Sequence, residues 1–137
     1  MTSGRQDEIL KRFTERYSLG ASSALDRVEQ EAIGAVVGAN GYTTVEQAEH
    51  LLKVLNLHSE ARLLDIGAGR GWPGLFLAER SGCRAVVTDI PHPAIATAHS
   101  RAEQLGLTGR CQLALAAGSA LPFRDASFDA VVHTDAL

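Results

Sequence analysis

The chain has 137 residues, 45% of them hydrophobic and 21% charged, with a net charge of −3 at pH 7. That is the length of one ordinary domain with enough apolar residues for a core, and too few dispersed charges for a disordered chain. The densest basic stretch, Arg5, Lys11, Arg12 and Arg16, is interrupted by Asp7, Glu8 and Glu15, as on a solvated helix face, so no nucleic-acid partner is expected.

In chain order, the polar start from Met1 to Glu8 lacks the apolar segment of a signal peptide, and no apolar run is long enough to span a bilayer. Ile9, Leu10, Phe13 and Tyr17 recur at helical spacing and predict a helix over about residues 6–17. A second is predicted over about residues 23–39, with Ser23 and Asp26 suited to a capping box and Asn40-Gly41 as its stop. A third begins at Thr43 or Thr44, since Thr43 with Glu46 and Thr44 with Gln47 could each close a capping box. Residues 1–58 are therefore expected to form a helical cap region.

From Arg62 onward strand and helix signals alternate. Residues 62–66 read as a strand ending in glycines, and 72–80 as a helix with Pro73 in its first turn and Gly82 as its stop. Residues 84–89 form the second strand, and a helix follows from Pro93 to about 105, capped by Gly106. Residues 112–115 and 128–133 are the third and fourth strands. This alternation implies βαβ units and a parallel sheet, and right-handed crossovers place the first strand centrally. Cys83 and Cys111 are the only cysteines. Without metal-ligand spacing they read as two buried free thiols of a cytoplasmic protein.

The chemistry concentrates in Leu63-Leu-Asp-Ile-Gly-Ala-Gly-Arg-Gly71. A strand feeds a glycine turn and then a helix N-terminus, an arrangement that binds nucleoside cofactors. Asp89 closes the second strand about twenty residues later, where such sheets place an acid that accepts from ribose hydroxyls. Gly69-Arg-Gly-Trp-Pro-Gly74 also matches the dinucleotide fingerprint formally, which keeps an NAD-dependent dehydrogenase half as an alternative. Three features oppose it: Asp65 would repel a pyrophosphate, Arg70 interrupts the turn, and Trp72-Pro73 would crowd a diphosphate.

The acid-x-Gly-x-Gly-x-Gly pattern at Asp65, Gly67, Gly69 and Gly71 resembles motif I of class I S-adenosylmethionine-dependent methyltransferases. Leu121-Pro-Phe-Arg-Asp-Ala-Ser-Phe-Asp-Ala-Val-Val132 is similar to the segment leading into that family's fourth strand, especially in its small-molecule and quinone-type branch. The resemblance implies an α/β fold in which residues 59–137 are an incomplete Rossmann-like parallel sheet of about four strands, ordered 3-2-1-4, behind the N-terminal helices. It implies S-adenosyl-L-methionine as cofactor and a small-molecule methyl acceptor; His50 and His58 have no partner at ligand spacing, so no metal is expected. Asp65, Gly67, Ala68, Gly69 and Gly71 would hold the methionine portion, Asp89 the ribose, and Ile90 would pack on the adenine. His133 and Thr134 would approach the sulfonium. Ala117 stands where the family often has an Asp for the adenine amino group, so Ser119 or the backbone through Ala120 is expected to replace it.

Before the third helix, Tyr42 and Thr43 read either as a lid, with Thr43 bonding the cofactor carboxylate, or as an ordinary capped helix start with a packed tyrosine. His133 and Asp135 are candidates for a general base, or are simply polar residues at a loop start. The chain stops just after the fourth strand, at Leu137, whereas the family's sheet continues. A fragment of a longer protein is therefore expected, with the apolar fourth strand exposed and open to self-association. A non-catalytic cofactor-binding module that pairs with another chain is the alternative.

Overall fold

The computed structural model describes residues 4, 5, 7–12, 27, 28, 30, 31 and 43–134. The described residues before 43 are helical, and Arg12 pairs with Glu8 at 2.9 Å on an exposed face, where such a pair adds little stability. The rest of the two predicted N-terminal helices, together with Tyr42 and Asp135, lies outside the described residues.

Helix α1 spans Val45–Val54. Of the two capping boxes the sequence allows, Thr44 with Gln47 forms. The Gln47 N–H donates to Thr44 Oγ1 (3.1 Å) and the Thr44 N–H donates to Gln47 Oε1 (2.9 Å). Asn56, at φ 49°, then turns the chain toward the sheet. Strands β1 (Arg62–Ile66), β2 (Arg84–Asp89), β3 (Cys111–Leu115) and β4 (Ala130–Val132) are all parallel, in the order β3-β2-β1-β4. The fold is thus the α/β parallel sheet expected, with β1 central. Helix α2 (Gly74–Ser81) connects β1 to β2, and α3 (His92–Gln104) connects β2 to β3.

Several boundaries differ from expectation. Helix α2 begins two residues later than the predicted residue 72. Trp72-Pro73 forms a cis peptide within the preceding turn, and Pro73 takes the N-cap position. Helix α3 starts one residue early, at His92, and β3 gains Cys111. Strand β4 is only three residues long, because Phe128 leaves the ladder to stack edge-on with Phe123 (centroids 5.3 Å apart). Asp129 then locks the entry into β4. Its N–H donates to the Arg62 carbonyl (2.8 Å), and its carboxylate accepts from the Arg62 N–H (2.8 Å).

Register explains which face is buried. Leu63, Ala85, Cys111 and Ala130 share one row, and Asp65, Val87, Leu113 and Val132 the next. These rows pack against Leu75, Leu77 and Ala78 of α2, Ala102 of α3 and Leu107. Both cysteines belong to this core and are free. Burial pushes both thiols up, Cys111 to about 11, so they pack as neutral groups. On the other side of α2, Trp72 and Phe76 stack at 5.2 Å and pack against Val45 and Ala48 of α1. Among the described residues β4 pairs only with β1, and Val131 on it is 53% exposed.

Candidate functional site

Parallel strands end together, so the C-terminal ends of β1, β2, β3 and β4 lie along one edge of the sheet. Asp65 is level with Val132, Ile66 with Thr88, and Asp89 with Leu115. The turn after β1 is therefore flanked by Ile90 after β2 and His133 after β4, with Ala116 after β3 on the far side of β2, its N–H bonded to the Asp89 carbonyl. Gly67, Gly69 and Gly71 adopt φ of 67°, 59° and 98°, a left-handed backbone in which a side chain would be strained.

The main-chain donors of this turn and of the α2 start are mostly spent inside the protein. The Ala68 N–H donates to the Thr88 carbonyl (3.0 Å), and the Gly71 and Trp72 N–H groups donate to the Ala68 carbonyl (3.0 and 3.2 Å). Pro73 has no N–H. The Gly74 N–H donates to Asp65 Oδ2 (2.8 Å), and the Leu75 N–H to the Gly71 carbonyl (2.9 Å). The Gly69 N–H donates to Asp89 Oδ2 (2.7 Å). An anion-binding helix start instead leaves such donors pointing at the ligand.

Two carboxyl groups organise the turn from opposite sides. Asp65 is fully buried beneath the start of α2, and its Oδ1 has no hydrogen-bond partner. Burial pushes its pKa well above the ordinary carboxylate value; the Gly74 N–H opposes this and the neighbouring Asp89 charge adds to it. Asp89 is half-buried, and both its oxygens are engaged, Oδ2 by Gly69 and Oδ1 by the Ile90 N–H (2.7 Å). Each oxygen keeps a second lone pair.

The other expected site residues differ in exposure. Ala68 and Thr43 are buried, Ile90 is 48% exposed, and Ser119, Ala120 and His133 are exposed, with Thr134 half-buried. The Ala120 N–H closes a turn onto the Ala117 carbonyl (3.0 Å). A Cβ on Gly118 would lie 3.1 Å from Ile66 Cγ2, which brings the segment after β3 against the end of β1. Among the described residues no group of His, Cys, Asp and Glu is placed to hold a metal ion.

Three residues matter here that sequence reasoning did not assign. Gly74 is required because a Cβ there would stand 2.6 Å from Asp65 Oδ2. Its position as the last glycine of the formal fingerprint was the available signal, since that glycine serves close helix–strand packing. Thr88 is buried, and its hydroxyl donates to the Asp65 carbonyl (3.2 Å). Trp72 is also buried, and its indole N–H donates to the Thr43 carbonyl (2.9 Å). No local pattern announces a contact across 29 residues.

A parallel sheet with a glycine turn after its central strand and an acid closing the next strand defines a Rossmann-like protein of the nucleoside-cofactor class. The profile of a methyltransferase domain matches residues 63–137, more than half of the chain, which therefore belongs to that family. The chain is similar to 24-methylenesterol C-methyltransferase 2 of Oryza sativa subsp. japonica, at 32% identity over 64% of this chain and 24% of that protein. It is also similar to malonyl-[acyl-carrier protein] O-methyltransferase of Geobacter sulfurreducens, at 40% identity over 54% of this chain and 27% of that protein. Among solved structures it resembles a geranyl diphosphate methyltransferase in complex with SAM, with a TM-score of 0.60 and 25% identity over 64% of this chain and 36% of that one. The matched stretch spans about a quarter of the length of the two curated relatives.

Proposed function

We propose that this chain binds S-adenosyl-L-methionine at the turn of residues 65–71 and Asp89, as the cofactor-binding part of a methyltransferase with a small-molecule acceptor. One observation carries the choice of cofactor: the α2 start spends its N–H groups on Asp65 and on turn carbonyls. A diphosphate would meet few free donors there and the Asp89 carboxylate beside them. A cationic amino-acid portion needs no such donors and gains from the Asp89 carboxylate, which is bonded to the turn at Gly69. The NAD alternative is disfavoured for the same reason.

In this reading the residues 67–71 turn cradles the methionine portion, and Asp89 uses its remaining lone pairs for the ribose hydroxyls. Ile90 offers the adenine an apolar face, and Ser119 with the backbone near Ala120 borders its edge. Residues 1–58 keep their reading as a helical cap region, to which Tyr42 and Thr43 belong, and Thr43 is bonded to Trp72 of the turn. When bound, the cofactor supplies a methyl group already activated on a sulfonium. The protein's part is alignment, with a base needed only if the acceptor must lose a proton. His133, exposed after β4, and Asp135 are the candidates for that base. The acceptor class rests on the sterol and geranyl diphosphate in the names of similar proteins. Self-pairing through the open side of β4 is a further part of this proposal. Val131→Lys is expected to abolish any dimer seen by sedimentation.

Titration calorimetry with S-adenosylmethionine, S-adenosylhomocysteine and NAD tests the cofactor assignment. The two adenosyl sulfur compounds should bind and NAD should not. Asp89→Ala should weaken binding at least tenfold, because it removes both the ribose acceptor and the clasp on Gly69. Binding of NAD alone would defeat the proposal.

A further inference from the structure

Trp72 stands in the glycine turn yet faces away from its backbone work. Its main-chain N–H closes the turn onto Ala68, while its side chain reaches into the first turn of α1. The indole is 4% exposed, stacks on Phe76, packs on Ala48 and donates to the Thr43 carbonyl at 2.9 Å. Thr43 directly precedes Thr44, whose capping box with Gln47 starts α1. The two ends of this contact are therefore rigid. One is a turn held by Asp65 and Asp89, and the other is a helix start held by its own cap. A buried hydrogen bond between two such bodies transmits a shift of either to the other, because a lone buried N–H or carbonyl is costly.

We propose that Trp72 is a positioning residue that couples the start of α1 to the cofactor turn, so that cofactor binding and order at α1 reinforce each other. The proposal rests on the placement of the cofactor at this turn. Arg80, lying 5.0 Å over the Phe76 ring and 3.8 Å from Glu49 of α1, extends the same joint toward the surface. Those exposed groups are worth little alone, which leaves the buried indole as the main link.

The test is a double-mutant cycle on S-adenosylhomocysteine affinity, read by calorimetry on the 137-residue chain. Trp72→Phe keeps an aromatic ring beside Phe76 and Ala48 and loses only the donor. Thr44→Ala weakens the α1 cap without touching the turn. Trp72→Phe is expected to weaken binding about tenfold, within the usual range of coupling between sites. Thr44→Ala should weaken binding severalfold in the parent chain and have no further effect in the Trp72→Phe background. A merely structural Trp72 would lower the melting temperature and leave the two effects additive. Additive effects, or unchanged affinity in a folded Trp72→Phe chain, would overturn the proposal.

Hydrogen exchange gives a second readout that needs no variant. S-adenosylhomocysteine should slow exchange of the amides at residues 48–51, in the hydrogen-bonded start of α1, and unchanged exchange there on binding would overturn the coupling even if Trp72→Phe fails to fold. If the unaltered chain binds neither adenosyl compound, the cofactor assignment itself falls and the coupling with it. Binding without coupling removes only the latter.

Discussion

Asp65 and Gly74 form the most constrained residue pair at the candidate site. The carboxyl group is fully buried against the start of α2 with one N–H partner. An acid whose pKa is higher in the folded chain than in the unfolded one takes up a proton on folding. The stability it contributes is fully present below the ordinary value of 3.8 and is lost as the pH rises through the folded value. Asp65→Asn keeps an oxygen for Gly74 and cannot ionise. Relative to the parent, its stability should therefore improve as the pH rises above the ordinary carboxylate value of 3.8, as read by urea unfolding. A gap that does not change with pH would contradict this. Gly74→Ala would push a methyl group to 2.9 Å from the Asp65 Cβ and 2.6 Å from Oδ2. That should cost about 1–3 kcal/mol in the same measurement, the usual range for overpacking a buried contact.

At the scale of elements, apolar runs, helical periodicity and glycine stops located every strand and helix among residues 43–134, even though the middle of β1 is buried on both faces. Ends were harder to read. The start of α2 depends on Asp65, nine residues upstream, which supplies the acceptor for its first N–H. The start of β4 depends on Asp129 clasping Arg62, 67 residues away. Pairings of this kind leave no local trace. Core packing of α2 on the sheet should make Leu77→Ala cost about 2–5 kcal/mol, since Leu77 is fully buried. Cys83 and Cys111 should stay unreactive toward an aromatic disulfide reagent at pH 8 until the chain unfolds. Both are buried and their pKa values are raised, so neither offers an accessible thiolate.

Across the whole molecule, one sheet edge gathers the ends of four strands, and with them nearly all the residues singled out in the sequence. Membership of the methyltransferase-domain family agrees with that edge and with the glycine turn. Among the described residues no helix is long and apolar enough to cross a membrane. Most of each relative's length lies outside the matched stretch, so the methyl acceptor proposed above is a question for assay. A panel of sterol, prenyl diphosphate and acyl thioester acceptors, scored by methyl incorporation, would separate the chemistries named among similar proteins.

The amino-acid sequence by itself determined the α/β class, the central position of β1, the turn at residues 65–71 and the acid at Asp89. All of these follow from short-range periodicity, from glycine's backbone freedom and from fixed spacing along the chain. Only the tertiary structure decided that Asp65 is sealed beneath Gly74, that the α2 donors are already spent, and that Trp72 holds Thr43. Those facts depend on where groups distant in sequence meet, and hydrogen-bond satisfaction inside a dry core decides that.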